Sequence, residues 1–332
     1  MDIKINRINA DSGFAILTEQ FTDSMTVYPF FDAFLYEKKR RKRLKKETAM
    51  ETFEKQKKHV AEYNLTSDLF AGKIFEDLDA AQELCRILMQ NDSITLRSVR
   101  TQYVIRSLET HSMELDILAE DISGNLIDIE IQMYPEKAPF RRSRYYQSGI
   151  DMSILEKGKP YEHLPDVTVI YLTKTDFIGG KRGYYEIYRK PGGQDVTMCL
   201  ENGLHEKYYN LEYPTEDMRV NELLRYFKNS EPFYKTNSFP RIAERVRFIK
   251  TNQEGVAIMC EIADRIRREG KIEGKIEGKI EDILELLKDF GKIPQNVMIR
   301  LRQETNLELL GMWLKYAAKA SSLAEFESNM LK

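Results

Sequence analysis

The sequence predicts an α/β protein in which a mixed sheet is flanked by helices, a class indicated by two patterns along the chain. Residues 66–90 carry apolar side chains at helical spacing, and the stretch 99–133 contains three strand-like segments. A second helical pattern at 141–158 is followed at 166–174 by a short apolar run rich in β-branched residues, which suits a buried strand. This order of helix, three strands, helix and strand predicts a mixed sheet with helices packed on it.

Each predicted element has a local signal. The first helical stretch should break near Asp77–Asp79, where the apolar spacing is interrupted. Ser123-Gly124-Asn125 supplies a turn between the second and third strands, so these two strands form a predicted hairpin. The helix after the hairpin is expected to end at Gly158. The three strands of this region are predicted at residues 99–108, 113–121 and 126–133.

Further elements are predicted towards the C-terminus. Strands are expected at 184–189 and 196–202, and helices at 218–229 and 239–251. Three short helices should follow, namely ILELLKDF, one that opens at Pro294, and LELLGMWLKYAAKA with Trp313 in their shared core. Ser322 and Glu325 could form a capping box for a last turn.

A repeat, EGKIEGKIEGKIE at 269–281, places glycine at positions 270, 274 and 278. On a helix no glutamate of the repeat stands three or four residues from a lysine, so favourable pairing of that kind is absent. Each interior glycine costs about 1 kcal/mol relative to alanine, so an isolated helix here should be weak. The repeat is therefore either a close-approach surface that pairs with another copy of the chain or a low-complexity spacer.

These patterns divide the chain into four predicted regions. Residues 1–63 form an N-terminal extension with the almost purely cationic segment 37–47, which is either a solvated arm or a contact for nucleic acid. The α/β domain is expected at 64–255, a helical or glycine-repeat linker at 256–280, and a small helical interaction module at 281–332.

Composition excludes several classes of protein. The 332 residues are 42% hydrophobic and 31% charged, which fits a globular protein and excludes a collagen-like or wholly disordered chain. The spacing of Cys85, Cys199 and Cys260 suits neither a zinc site nor a disulfide framework. No apolar run approaches the roughly 20 residues that span a bilayer, and the polar N-terminus lacks the apolar region of a secretory signal. We therefore expect a cytoplasmic protein without a membrane partner.

The predicted hairpin concentrates carboxylates on one patch of sheet. Because side chains alternate along a strand, Glu114, Asp116, Leu118 and Glu120 share one face of the first strand, and Asp128, Glu130 and Gln132 share one face of the second. If the loop is 122–124, Asp116 lies directly across from Glu130. Crowded carboxylates are relieved by a divalent cation, and magnesium prefers such oxygen ligands. The alternative is a solvated acidic sheet face.

A basic helix follows the hairpin within a few residues. It carries Arg141, Arg142 and Arg144, with Tyr145 and Tyr146 beside them. Arginine matches phosphate geometry, and tyrosine stacks on bases or bonds to the backbone of a nucleic acid. An acidic metal patch beside such a helix is what phosphodiester cleavage requires. The alternative is an ordinary amphipathic helix with a solvated basic face.

Several segments, in order, resemble the Rpn family of recombination-promoting nucleases and transposases, a branch of the PD-(D/E)XK superfamily. They are SDLFAGKIF (67–75), LDILAEDISGNLIDIEIQ (115–132), RRSRYYQSGIDMSILEKGKPYEHL (141–164) and VTVIYLTKTDFIGG (167–180). The glycine-lysine-glutamate repeat and short helical tail also resemble that family, so the likeness runs from about residue 64 to the C-terminus. It implies a restriction-endonuclease-like αβββαβ core with a mixed sheet, followed by a C-terminal helical tail.

The resemblance also implies roles for individual residues. Asp116 would be the motif acid and Glu130 the second metal ligand, helped by the main-chain carbonyl of Ile131. Gln132 stands where the superfamily usually has lysine, and its amide could orient the attacking water. Asp68 is a weaker candidate for a supporting acid, because a role as helix N-cap explains it better.

The resulting prediction is a Mg²⁺-dependent DNA endonuclease, with Mn²⁺ as a possible substitute, that serves recombination or mobile elements. Asp116, Glu130 and Gln132 would be catalytic, and Arg142, Arg144 and Tyr146 would bind the nucleic acid. The alternative is a catalytically inactive nuclease fold that binds nucleic acid or regulates a partner. In either case the C-terminal helical region is expected to form a homo-oligomer.

Overall fold

The computed structural model describes residues 28–105, 112–134, 139–192 and 199–330, with side chains in α1 described from Tyr36 onward. The chain divides into two compact units, with the boundary between Lys55 and Gln56. Among the described residues, no helix is both long enough and apolar enough to cross a bilayer.

Six strands form one mixed sheet in the order β1-β2-β3-β4-β6-β5. The pairs β1–β2, β2–β3 and β5–β6 are antiparallel, whereas β3–β4 and β4–β6 are parallel. The mixed sheet predicted from the sequence is therefore confirmed. The strands are β1 Leu96–Ile105, β2 Met113–Asp121, β3 Leu126–Gln132, β4 Val167–Thr173, β5 Tyr184–Ile187 and β6 Leu204–Asn210.

The β2–β3 hairpin has the predicted turn and register. Asp121 closes the turn, since its Oδ1 accepts hydrogen bonds from the main-chain N–H groups of Ser123 at 2.8 Å and Asn125 at 2.9 Å. Gly124 adopts a φ of 89°, a left-handed conformation that suits glycine. Ile117 then pairs with Ile129, which is the register that puts Asp116 across from Glu130.

Helices precede, interrupt and follow the sheet. The predicted break in the first helical stretch is confirmed, because Asp77 caps α3 by accepting a hydrogen bond from the Ala80 N–H at 3.0 Å. The helices up to the last strand and just beyond it are α1 Tyr28–Ala61, α2 Asp68–Phe75, α3 Leu78–Leu88, α4 Pro139–Ile154, α5 Met218–Asn229 and α6 Pro240–Thr251.

Both faces of the central strands are covered. Tyr208 of β6 packs with Tyr146 and Ile150 of α4 in one apolar cluster. Its neighbour Tyr209 points the other way, and its hydroxyl donates a hydrogen bond to the Leu88 carbonyl at the end of α3. Every residue of β4 is buried, as expected for a strand between two helical layers.

One strand prediction was wrong. The strand predicted at 196–202 begins on residues outside the described part of the chain, and its described portion, 199–202, is not a strand. The next strand is β6, whose segment LHEKYYN was not recognised from the sequence. Polar residues occupy the half-buried first part of β6, so it lacks the apolar run that marks β4.

The C-terminal region is helical, as predicted, but its first helix is longer. ILELLKDF is not a separate helix, because α7 runs without interruption from Gln253 to Lys288 through the glycine repeat. It is followed by α8 Gln295–Gln303, α9 Leu307–Lys319 and α10 Leu323–Met330. Trp313 lies in the core of these helices, as predicted, with an exposed fraction of 1%. Ser322 accepts the predicted capping bond from the Glu325 N–H at 3.2 Å.

The two ends of α7 are buried and its middle is exposed. Val256 and Met259 are buried near the start of α7, and Ile283 and Leu287 are buried near its end. Residues 264–275 are exposed all around the helix, and added β-carbons at all three repeat glycines would meet open space. Packing at both ends explains how a segment with weak intrinsic helicity is helical here.

Candidate active site

The side chains of Asp116 and Glu130 hold β2 and β3 together just beyond their last ladder pair. Asp116 Oδ2 accepts a hydrogen bond from the Ile131 N–H at 2.7 Å, and Glu130 Oε1 accepts one from the Asp116 N–H at 3.2 Å. Each carboxylate therefore contacts the main chain of the other strand. The predicted convergence of these two acids on one face of the hairpin is present in the structure.

Asp128 adds a third carboxyl group to this face. Asp128 and Glu130 are two residues apart on β3, and their exposed fractions are 0% and 1%. Within the described part of the chain no amide, hydroxyl or cationic group donates to the oxygens of Asp128, whose polar contact is the Glu130 carboxyl group. The face is therefore a buried acidic cluster, and the alternative of a solvated acidic sheet face is wrong.

Burial and mutual repulsion raise the pKa values of all three acids. Loss of solvation, the larger cause, raises the pKa of Asp116 to about 6. The pKa values of Asp128 and Glu130 lie well above the ordinary range for the same reason and because neighbouring carboxylates repel. Arg142 lowers all three pKa values, but one guanidinium cannot neutralise three carboxylates. The cluster therefore favours binding protons or a further cation.

Arg142 contacts the acids from α4. Its Nη2 lies 3.5 Å from Glu130 Oε2 and donates a hydrogen bond to the Tyr146 hydroxyl at 2.9 Å. Its Nη1 donates to Gln132 Oε1 at 3.0 Å. These contacts orient the guanidinium between Glu130 and Gln132. The Glu130 side chain is only 2% exposed, whereas the Arg142 side chain is 32% exposed.

Gln132 links this guanidinium to the residues after β3. Besides accepting the bond from Arg142, its amide Nε2 donates to the Tyr134 carbonyl at 3.0 Å. Both ends of the amide are thus engaged. A lysine at this position could not accept a hydrogen bond from Arg142, so the glutamine matches the neighbouring guanidinium.

The predicted nucleic-acid-binding residues lie in different surroundings. Arg144 is exposed, whereas Arg142 turns towards the sheet, so α4 places these two arginines on different faces. Tyr146 is 8% exposed and its ring lies 5.0 Å from the Arg142 guanidinium. In this arrangement Tyr146 positions Arg142. Contact of Arg142, Arg144 or Tyr146 with nucleic acid stays a prediction.

Asp68 lies close enough to influence the acidic cluster. It is the first residue of α2, and the N-cap is Ser67, so Asp68 is not itself the N-cap. Burial raises the pKa of Asp68 and the charge of Arg142 lowers it, while the charge of Asp68 raises the pKa of Asp116. The structure thus brings Asp68 towards the site, and its role as a supporting acid stays a prediction.

Two cavities open at the end of β3 beside these residues. One has a volume of about 660 Å³ and is lined by Asp68, Ile131 and Gln132, among others. The other, of about 230 Å³, is lined by Gln132, Arg142 and Tyr171. Gln132 therefore lines both cavities, and it is two residues from Glu130 of the acidic cluster.

The donor set suits an ion that takes few ligands from the protein. No group of three or more His, Cys, Asp and Glu side chains suited to a metal occurs within the described ranges. Magnesium commonly uses one or two carboxylates and completes its shell with water and substrate phosphate oxygens. Asp116, Glu130 and the Ile131 carbonyl fit that demand, and Asp128 is a further buried carboxyl group beside Glu130.

The six-stranded mixed sheet with helices on both faces is consistent with a PD-(D/E)XK nuclease fold. In agreement, residues 83–190 match the family described as PD-(D/E)XK nuclease family transposase. The predicted family resemblance and fold class are thereby confirmed. The match begins in α3 and ends just after β5, so it includes Asp116, Glu130 and Arg142 but not Asp68. Neither the curated proteins nor the solved structures contain a match to this chain.

Sequence reasoning placed Asp128 on the acidic face but did not recognise it as part of the site. The signal was present, because an acid at this position interrupts the apolar strand LIDIEIQ. The sequence contains a weaker indication that Arg142 points towards the sheet. Arg142 lies four residues before Tyr146 and eight before Ile150, so the three share one helix face, and Tyr146 and Ile150 are buried.

Proposed function

We propose that this protein is a divalent-metal-dependent DNA endonuclease that hydrolyses phosphodiester bonds at the β2–β3 hairpin. One observation carries the proposal: the carboxylates of Asp116 and Glu130 each accept a hydrogen bond from the main chain of the other strand. It places two carboxylates on one face in a region that matches a nuclease family. Magnesium is the preferred ion, and manganese should substitute for it.

In this proposal Asp116, Glu130 and the Ile131 carbonyl hold the metal. When bound, the ion lowers the pKa of a water molecule and stabilises negative charge on the phosphate. Asp116 and Glu130 are oriented for this role by the hydrogen bonds that they accept from the opposite strand. Asp128 supports the site electrostatically, because its carboxyl is buried beside Glu130.

Gln132 and Arg142 supply what the lysine of the superfamily would otherwise supply. The Gln132 amide orients water at the junction of the two cavities, and it cannot carry a proton. Arg142 contributes the positive charge, since its guanidinium contacts both Glu130 and Gln132. Arginine remains protonated at any working pH, so this charge persists. Arg144 and Tyr146 complete the proposed set for binding the strand.

Plasmid cleavage by the purified full chain tests the proposal. We expect nicking with Mg²⁺ or Mn²⁺ that EDTA abolishes, and a loss of at least a hundredfold in Asp116→Ala and Glu130→Gln. Glu114→Gln is the matched control, because Glu114 is an exposed acid on the same strand. Nicking that persists unchanged in Asp116→Ala would reject the site.

A second candidate is a catalytically inactive nuclease fold that binds nucleic acid or regulates a partner. One observation favours it, namely the contact of Arg142 with Glu130, which already provides that carboxylate with a cation. It predicts salt-sensitive DNA binding without cleavage in either metal. Cleavage that requires metal and Asp116 would exclude this candidate.

A role in recombination or mobile elements, a cytoplasmic location and self-association through the C-terminal helices complete the proposal. We also retain the division into an extension at 1–63, a nuclease domain at 64–255, a linker at 256–280 and a helical module at 281–332. The continuous helix α7 would then join the nuclease domain to the module.

A further inference from the structure

Tyr134 presents an exposed aromatic ring beside the proposed site. It lies two residues after the end of β3 and is 81% exposed. Its main chain is fixed because the Gln132 amide donates to its carbonyl at 3.0 Å. Among the described residues, its ring takes part in no aromatic stacking or cation–π contact of the kind that Arg142 makes with Tyr146. The main chain of Tyr134 is thus held beside the proposed site, and its ring is exposed there.

Three cavities meet at Tyr134. It lines the cavity that contains Asp68, of about 660 Å³, and the cavity that contains Arg142, of about 230 Å³. It also lines a third cavity, of about 640 Å³, which contains Lys174 and Lys228. Met133 and Tyr134 line all three, so the cavities adjoin just after β3, and we refer to the three together as the groove.

The charge of this groove changes along its length. Its arm beyond Tyr134 carries Lys174 and Lys228 against one acid, Glu212. Lys174 directly follows β4, and its N–H donates to the Gln132 carbonyl at 3.3 Å, which fixes it beside the proposed site. Lys228 Nζ donates to the Leu211 carbonyl at 2.6 Å and, as an ammonium, retains two further donors. This arm therefore suits phosphates, whereas the arm lined by Asp68 carries acidic side chains.

We propose that the groove binds an unpaired DNA strand, with Tyr134 stacking on a base next to the scissile phosphate and with Lys174 and Lys228 holding phosphates on one side of it. This inference rests on the proposed function and specifies its substrate class. A protein ring can stack on a base only where that face of the base is not already stacked on the neighbouring base. Bases within an intact duplex are already stacked on each other. The Tyr134 ring, which we call the stacking platform, therefore favours single-stranded or locally unpaired DNA.

Binding of labelled oligonucleotides to the full chain in EDTA tests the platform without any cleavage. We expect Tyr134→Ala to weaken binding of a single strand roughly tenfold or more, and Tyr134→Trp to restore it. Binding of a blunt duplex should change less than twofold. Tyr161→Ala is the matched control, because Tyr161 is also exposed, at 80%, and lies in a short turn away from these cavities.

The lysines are tested by the salt dependence of the same binding. For a single strand, the double variant Lys174→Ala/Lys228→Ala should reduce the magnitude of the log–log salt slope by about 1.4, or about 0.7 per phosphate contact. Lys157→Ala/Lys159→Ala, in an exposed loop, should leave the slope unchanged.

The outcomes separate this inference from the proposed function. Unchanged single-strand binding in Tyr134→Ala, or equal losses for single strand and duplex, would overturn the platform even if Asp116 proves essential for cleavage. Loss of single-strand binding in a protein that cleaves nothing in Mg²⁺ would support the groove and reject the nuclease.

Discussion

Arg142 determines how the acidic cluster behaves before any metal binds. Its guanidinium lowers the pKa values of Asp116, Asp128 and Glu130 and lies 3.5 Å from Glu130 Oε2. A cation that binds these carboxylates must therefore share them with an arginine. The same arginine lines the cavity of about 230 Å³ beside Gln132, where the proposed function would bring a phosphate. It should thus weaken metal binding and assist the reaction.

This dual role predicts opposite effects of one substitution. In Arg142→Gln, metal affinity should rise several-fold, because a positive charge that repels the ion is removed at close range. Cleavage should fall at least tenfold, because the phosphate loses its guanidinium partner. Calorimetric titration with Mn²⁺ and plasmid nicking measure the two effects.

Arg144→Gln is the control for Arg142→Gln, because Arg144 is the exposed arginine of the same helix. It should leave metal affinity unchanged. Weaker Mn²⁺ binding in Arg142→Gln would contradict the dual role, since it would mean that the arginine supports the metal site by holding its shape.

At the residue scale, the sequence predicted the acid pair better than its environment. The register of Asp116 and Glu130 followed from a two-residue alternation and the position of one turn, both of which are local. The burial of Asp128 and the inward direction of Arg142 depend on how α4 packs on β3 and β4. Local patterns indicate a buried strand and a buried helix face, but they do not specify that packing.

At the scale of single elements, α7 shows how a weak sequence becomes one long helix. Gly270 and Gly274 lie in its exposed middle and Gly278 just after it, and an added β-carbon at each of the three would meet open space. Gly255, near the start of α7, differs because an added β-carbon there would overlap the Phe248 carbonyl and the Ile249 backbone. One helix thus contains glycines that packing requires and glycines that packing does not require.

Alanine substitution should therefore act in opposite directions at these glycines. The triple variant with alanine at 270, 274 and 278 should stabilise the chain by about 2 kcal/mol, because each exposed helical glycine costs roughly 0.5–1 kcal/mol relative to alanine. Gly255→Ala should destabilise it. Urea unfolding followed by circular dichroism measures both changes.

The same triple variant tests the predicted self-association. If glycine lets two α7 helices approach closely, added methyl groups would block the contact and lower the mass measured by sedimentation. An unchanged mass would show that self-association does not depend on these glycines, and it would favour the spacer interpretation of the repeat.

Element prediction succeeded where one pattern dominated a segment. The apolar run of β4 and the capped helices α3 and α5 are examples, because burial or a cap marks each of them in the sequence. The strand β6 was missed because its pairing partners, β4 and β5, impose a strand on residues with a mixed pattern. Tertiary pairing there outweighs local propensity.

At the scale of the whole molecule, Lys250 links the end of α1 to the C-terminal half of the chain. Its Nζ donates to the Ala61 carbonyl at 3.2 Å and lies 5.2 Å from the centre of the Phe70 ring. Only 3% of the residue is exposed. Burial lowers the pKa of Lys250 to about 8, and Glu231 opposes that shift. A buried ammonium therefore opposes folding at neutral pH, although its hydrogen bond ties distant segments together.

This shift predicts a pH dependence of global stability. Between about pH 8 and the unfolded value near 10.5, the folded chain has lost the Lys250 proton while the unfolded chain retains it. The free energy of unfolding should then rise with pH, by at most about 1.4 kcal/mol per pH unit for one proton. Lys250→Met should lack this contribution, so we expect the stability difference between native chain and variant to grow in favour of the native chain from pH 7.5 to 9.5. Lys235→Met, at an exposed lysine, is the control and should track the native chain. The free energy of unfolding is measured by urea unfolding at each pH. If it changes in parallel with pH for the native chain and Lys250→Met, the ammonium stays charged in the folded protein. Its contacts with Ala61 and Phe70 would then be strong enough to offset the cost of burial.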